Sequence, residues 1–139
     1  MTGSATIDAE RAFVRAARGR RRAALARRLR RQDPGALAVY DERTQARSGL
    51  PRVREIPLAA IGGTVEPSKA AQFDRCFRPA AAVRARWQRL WLAEHRGGVL
   101  PPISVVRVGD RYAVRDGHHR VSVARARGAL TIDAAVEVG

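Results

Sequence analysis

The stretch from Pro101 to Val138 constrains the fold more than any other part of the chain. Pro101-Pro102 resets the backbone, Ile103–Val108 is an apolar run, and Gly109-Asp110 supplies hairpin turn chemistry before Arg111–Arg115. Asp116-Gly117 then breaks the strand and opens a helix to about Arg127, with Val121, Ala124 and Ala126 on its packed face. Gly128 stops that helix, and Thr131–Val138 alternates as a closing strand. Upstream, Val53–Leu58 reads as a strand ended by Gly62-Gly63, and Thr64–Pro79 as an irregular stretch carrying Phe73 and Phe77. A helix over Ala80–His95 places Val83, Trp87, Leu90 and Trp91 at helical spacing, which makes both tryptophans core residues rather than stacking platforms. Cys76 reads as a small core residue. The fold class this predicts is α+β.

The charge lies elsewhere. Residues 1–54 carry 14 basic and 5 acidic groups, residues 55–139 carry 13 and 8, and 20 of the 28 Val, Leu and Ile fall from residue 55 onward. This divides the chain into a basic helical arm and linker, 1–49, and a folded domain, 50–139. The arm reads as a helix over Asp8–Arg31, capped by Thr6 or Asp8 and stopped by Asp33-Pro34-Gly35. Arg11, Arg15, Arg18 and Arg22 recur on one side, against a thin apolar face of Phe13, Val14, Leu25 and Leu29. Such a helix is ~36 Å long, about one turn of duplex DNA. With Arg27 and Arg28 it makes a candidate surface for non-specific contacts to a nucleic-acid backbone. The bland alternative is a solvated face. A shorter helix is expected next, with Asp33 as cap, Pro34 in its first turn, and Leu37, Val39 and Tyr40 inside; Thr44–Gly49 reads as linker.

The formal net charge is +14, and 26 of the 27 basic residues are arginine, Lys69 being the one lysine. That ratio points to a GC-rich coding background, which explains the arginine but not the excess of positive charge. The excess favours polyanions. No apolar run reaches the ~18 residues of a membrane span, and the first residues lack the pattern of a secretory signal. One cysteine excludes an internal disulfide framework, and adjacent histidines with a distant His95 make no zinc pattern. The expected setting is the cytoplasm, without a membrane partner, and the nucleoid if the arm holds DNA.

The densest constellation is Asp116-Gly117-His118-His119-Arg120 at a strand-to-helix junction. A helix N-terminus presents unpaired N–H groups and the positive end of its dipole, so it attracts phosphate. Gly117 permits close backbone approach, Arg120 can fork onto phosphate oxygens, and His118 and His119 add donors or proton transfer. Asp116 can orient a histidine, hold a phosphate-bound Mg²⁺ or act as a base. Each residue also has a structural reading: Asp116 as an N-cap, Gly117 as turn geometry, a histidine as a packed residue, Arg120 paired to a carboxylate.

The string from Leu100 to Gly128, above all DGHHRVSVAR, resembles the ParB/sulfiredoxin superfamily, with Val53–Ile61 similar to its opening strand and Thr131–Val138 to its last. Over about residues 52–138 the resemblance implies a small mixed sheet with packed helices. The whole chain, with its Arg-rich N-terminal helix and Phe73-Asp74-Arg75-Cys76-Phe77, is similar to small ParB-like nuclease-domain proteins of the chromosome-partitioning type. ParB proteins carry GERR at this junction and bind CTP phosphates; Gly117 and Arg120 match its ends, while His118 and His119 replace Glu and Arg. Sulfiredoxins carry GCHR, and His118 stands at the position of their cysteine. ParB-like free-serine kinases share DGHHR more closely, which would place Asp116, His118 and His119 at a phosphoryl-transfer site, with Glu66 or Glu55 as their further glutamate. Metal-dependent hydrolysis would draw on Asp116, Asp110 and Asp74.

The resulting expectation is a domain that binds a nucleotide (ATP, ADP or CTP, with Mg²⁺) through Gly117, His118, His119 and Arg120, and associates with nucleic acid through its arm. The alternative is a small-molecule kinase or phosphohydrolase using Asp116, His118 and His119 without nucleic acid. A third reading is a protein-interaction module whose arginine helix docks on an acidic partner.

Overall fold

The computed structural model describes residues 2–31, 35–41 and 48–138. The chain runs α1 (Thr2–Leu29), β1 (Ala38–Val39), β2 (Ser48–Pro57), β3 (Ile61–Thr64), α2 (Arg84–His95), β4 (Ile103–Val108), β5 (Arg111–Asp116), α3 (His118–Ala126) and β6 (Thr131–Val138). Short 3₁₀ turns lie at Leu58–Ala60, Pro67–Gln72 and Ala81–Val83. The α+β expectation holds: among the described residues, six strands form one mixed sheet, ordered β1-β3-β5-β4-β6-β2. β4 and β5 make the hairpin signalled by Gly109-Asp110, β6 runs parallel to β4, and β2 closes antiparallel on β6.

Strand alternation sends successive side chains to opposite faces. Ile103, Val105, Val114, Ala134 and Val136 meet Val121 and Ala124 of α3, with Phe73 and Phe77 completing this main core. Val106 and Ala113 face the other way, beneath Tyr40 and Val108. The helices stack outward from the first face, α2 on α3 and α1 on α2. A second apolar cluster of Phe13, Ala17, Trp87 and Val123 joins them. The Phe13 and Trp87 rings meet edge to face at 5.5 Å. Trp87 Nε1–H donates to Ser122 Oγ at 2.9 Å, so the one polar atom of the indole is satisfied inside the core.

Several local expectations need correction. α1 starts at Thr2, so Thr6 and Asp8 lie inside it and do not cap it. It ends at Leu29 and closes through Arg31, whose φ of 55° is left-handed; Asp33 and Pro34 lie outside the described residues. Its buried line is Ala9, Phe13 and Ala17, while Leu25 and Leu29 are exposed. The 28-residue α1 extends ~42 Å and the 12-residue α2 only ~18 Å, so α2 cannot cover both ends. The expected short helix is the strand β1, parallel to β3, with Leu37 in the core and Tyr40 N–H donating to the Thr64 carbonyl at 2.8 Å. Gly62-Gly63 do not end a strand but lie within β3, because β1 passes so close that a Cβ on Gly63 would strike the Ala38 carbonyl oxygen. Of the expected linker, 44–47 fall outside the described residues, and Ser48-Gly49 already belong to β2. Trp87 is fully buried as expected. Trp91 is only half-buried, stacked on the His95 ring at 4.8 Å and within 4.9 Å of the Arg127 guanidinium. Ala126 is exposed, and so is Cys76. Among the described residues, no helix is long and apolar enough to cross a membrane.

Candidate functional site

β5 ends at Asp116, and Gly117 turns the chain into α3 with φ 105° and ψ 24°. A Cβ at Gly117 would stand 2.5 Å from Ile103 Cγ2 and 2.8 Å from Ile103 Cβ, so left-handed backbone and close packing both select glycine. Gly117, not Asp116, occupies the N-cap position, and no side chain caps the helix there. The first intrahelical bond runs from Val121 N–H to the Gly117 carbonyl, at 3.0 Å. The amides of His118, His119 and Arg120 therefore precede any intrahelical acceptor, at the positive end of the helix dipole.

Arg120 is held in place from three sides. Its Nη1 donates to the Pro101 carbonyl at 2.6 Å and the Pro102 carbonyl at 3.0 Å, and its Nη2 to Asp116 Oδ2 at 3.0 Å. The guanidinium thus ties the chain entering β4 to the turn leaving β5. Asp116 stands largely exposed at the rim.

His118 and His119 point inward and are buried. His118 stacks with Phe73 at 6.4 Å, and His119 meets the same ring edge-on at 5.2 Å. His118 Nε2 lies 2.7 Å from Thr64 Oγ1, a hydroxyl that also accepts from the Glu66 amide at 2.8 Å. The same hydroxyl lies 3.1 Å from the Val114 carbonyl and 3.4 Å from the Glu66 carbonyl, and the tautomer of His118 sets whether its Nε2 donates to Thr64 or accepts from it. In either case β3, β5 and α3 are linked through one buried hydroxyl.

Burial holds the His118 pKa down to about 4, with the positive charge of Lys69 and the neighbouring His119 adding to the effect and Asp116 opposing it. Burial, then Arg86, then Lys69 bring His119 to about 4 as well. Both rings are neutral at pH 7 and serve as hydrogen-bonding groups, not as cations. Because the folded values lie below the ordinary 6.5, the unfolded chain takes up protons first as the medium is acidified. Stability is complete above about pH 6.5 and falls between there and pH 4, by about 2–4 kcal/mol for the pair after allowance for solvent screening. Urea midpoints at pH 7 and pH 4.5 measure this. The loss should shrink in a His118→Asn/His119→Gln protein, and an unchanged midpoint in the native chain would refute the burial argument.

The junction brings Asp116, Gly117, His118, His119 and Arg120 together with Thr64, Phe73 and Lys69, which sequence reasoning did not place at a site. Lys69 carried a signal, as the lone lysine in an arginine-biased chain. Thr64 and Phe73 carried none, since only the sheet and the turn before α2 bring them to α3. Of the two glutamates considered for phosphoryl transfer, Glu66 belongs here through its amide, whereas Glu55 sits on β2 opposite Asp133. Asp74 is used within its own turn, and Asp110 lies at the hairpin tip, the far end of β5 from Asp116. Among the described residues, no group of three or more His, Cys, Asp or Glu could hold a metal ion. On α1, Arg11, Arg15, Arg18 and Arg22 are exposed along a shallow groove of about 550 Å³ that Arg84 of α2 also lines. At 3.6 residues per turn, Arg27 and Arg28 point to other sides of the helix.

No protein-family model matches the chain, and no curated protein matches it. Sulfiredoxin from Arabidopsis thaliana is a similar solved structure, at 22% identity over 64% of this chain and 88% of that one, with a TM-score of 0.49. The likeness is one of fold.

Proposed function

We propose that this chain binds the phosphates of a nucleotide at the first turn of α3 and associates with nucleic acid through the exposed arginines of α1. One observation carries the phosphate reading: three amides without intrahelical acceptors meet the field of Lys69, felt by both histidines that begin the helix. An anion there gains backbone donors, the helix dipole and a lysine charge together. In this reading Lys69 and Arg86 supply the positive charge, the neutral histidines and Thr64 shape the floor, and Arg120 is a positioning residue. Asp116, exposed at the rim, is the group available to a nucleotide-bound Mg²⁺ or a substrate hydroxyl. Calorimetry with ATP, ADP and CTP, each with Mg²⁺, on protein freed of nucleic acid tests it. Lys69→Gln should weaken binding about tenfold or more, equivalent to about 1.4 kcal/mol. Equal affinity in the native and Lys69→Gln proteins would overturn the assignment.

The nucleic-acid half rests on four exposed arginines of one stripe, together with Arg84. Four phosphate contacts give a logarithmic salt dependence of roughly −3 to −4 on duplex DNA. Arg11→Ala/Arg18→Ala should flatten that slope by about 2 and weaken all sequences alike. A slope near zero in the native protein would remove nucleic acid from the reading. One observation favours phosphoryl transfer as a second reading: the Glu66 backbone amide donates to the Thr64 hydroxyl that His118 Nε2 also meets, which sets residue 66 beside the junction. Loss of turnover with retained binding in Glu66→Gln and Asp116→Asn would establish an enzyme.

A further inference from the structure

Phe73-Asp74-Arg75-Cys76-Phe77 has one part in the site above, the Phe73 ring, and the rest of the motif builds something else. Asp74 Oδ1 accepts from the amides of Cys76 and Arg78, both at 2.9 Å, and Phe77 N–H donates to the Asp74 carbonyl at 2.9 Å. This tight turn forces Phe77, a bulky residue buried at 1% exposure, into the left-handed region at φ 60°. Non-glycine residues held there are strained and gather at ligand-holding turns. The turn forms one wall of a cavity of about 310 Å³, closed by α1 and the second half of α3.

Three arginines line it, one from each wall: Arg15 from α1, Arg78 from the turn, and Arg125 from α3. Arg78 reaches across α1, its Nε 3.1 Å from where a Cβ of Gly19 would sit. Its one carboxylate contact, Asp74 at 3.4 Å, is long. Arg125 donates from Nη2 to the Leu58 carbonyl, yet its Nε–H is buried without an acceptor. Among the described residues, neither Arg15 nor Arg125 has a carboxylate partner. Three guanidinium groups around a concave space, with one distant carboxylate between them, call for a ligand of more than one negative charge. The space has room for a pyrophosphate or a sugar phosphate.

We propose that this cavity between α1, α3 and the Asp74–Pro79 turn is a second anion site, holding a small phosphorylated molecule through Arg15, Arg78 and Arg125. Its α3 arginine, Arg125, lies about two turns along the helix from Gly117, and the site does not use Lys69. Cys76 is exposed, lines the cavity, and is the only cysteine in the chain, so it reports on occupancy. The experiment follows the rate of Cys76 alkylation by N-ethylmaleimide, by mass, with inorganic pyrophosphate at constant ionic strength. Pyrophosphate should slow alkylation about fivefold or more, saturably at millimolar concentration. Arg15→Gln, on an exposed position of α1, should lose the protection, as should Arg78→Gln, while Lys69→Gln keeps it. Persistence in Arg15→Gln, or an unchanged rate in the native protein, overturns the proposal. Equal protection by citrate would overturn the phosphate assignment, and protection by an oligonucleotide but not by pyrophosphate would return the cavity to the nucleic-acid surface.

Discussion

Replacing Trp87 by alanine is expected to lower stability by about 3–5 kcal/mol, the range for truncating a fully buried tryptophan. That is a large part of the ~5–15 kcal/mol that holds a domain folded. The indole is fully buried, meets Phe13 edge to face, and donates to Ser122. Its loss opens a cavity where α1, α2 and α3 meet and leaves the Ser122 hydroxyl without that donor. Phe13 loses its partner too, so α1 should loosen before the sheet does. Chemical denaturation measures the first effect, and tryptic cleavage within the arginine-rich α1 the second. Trp87→Phe should recover part of the stability but not the Ser122 bond. A Trp87→Ala protein within about 1 kcal/mol of the native one would mean that the helical layer contributes little to this fold.

Gly117→Val should cost about 3 kcal/mol or more and lower the melting temperature by roughly 10 °C. Two causes add. A β-branched residue at φ 105° is strained by its own backbone, and its Cβ would overlap Ile103, the first residue of the inner strand β4. Gly117→Ala and Gly117→Asn separate them, because both introduce the Cβ while asparagine better tolerates the left-handed region. Equal losses in the two would assign the effect to Ile103; a smaller loss for asparagine would assign part of it to backbone strain. Since Gly117 sets the direction of the first amides of α3, nucleotide affinity should fall in all three. A Gly117→Val protein as stable as the native chain would refute the close packing.

The sequence by itself determined the elements whose signals are local. The Gly109-Asp110 hairpin, the short helix after Gly117 and the closing strand from Thr131 follow from turn chemistry and periodicity, and the structure contains them. The Asp116–Arg120 junction was legible for the same reason, since a breaker between a strand and a helix is written in consecutive residues. Tertiary structure alone decided what a partner far along the chain imposes. Ala38–Val39 is a strand because the edge of β3 accepts it, against a helical pattern in its own sequence. Arg120, a phosphate fork by spacing, is instead held by the Pro101 and Pro102 carbonyls, which the β4 start carries to it. His118 and His119 are neutral because Phe73 and Thr64, 45 and 54 residues before His118, bury and bind them. Cys76, small and apolar enough for a core, faces outward because the Asp74 carboxylate fixes its turn. Local pattern governs the backbone where hydrogen bonds close within a few residues. Burial, charge and ring contacts are set by whichever distant segment the fold brings alongside.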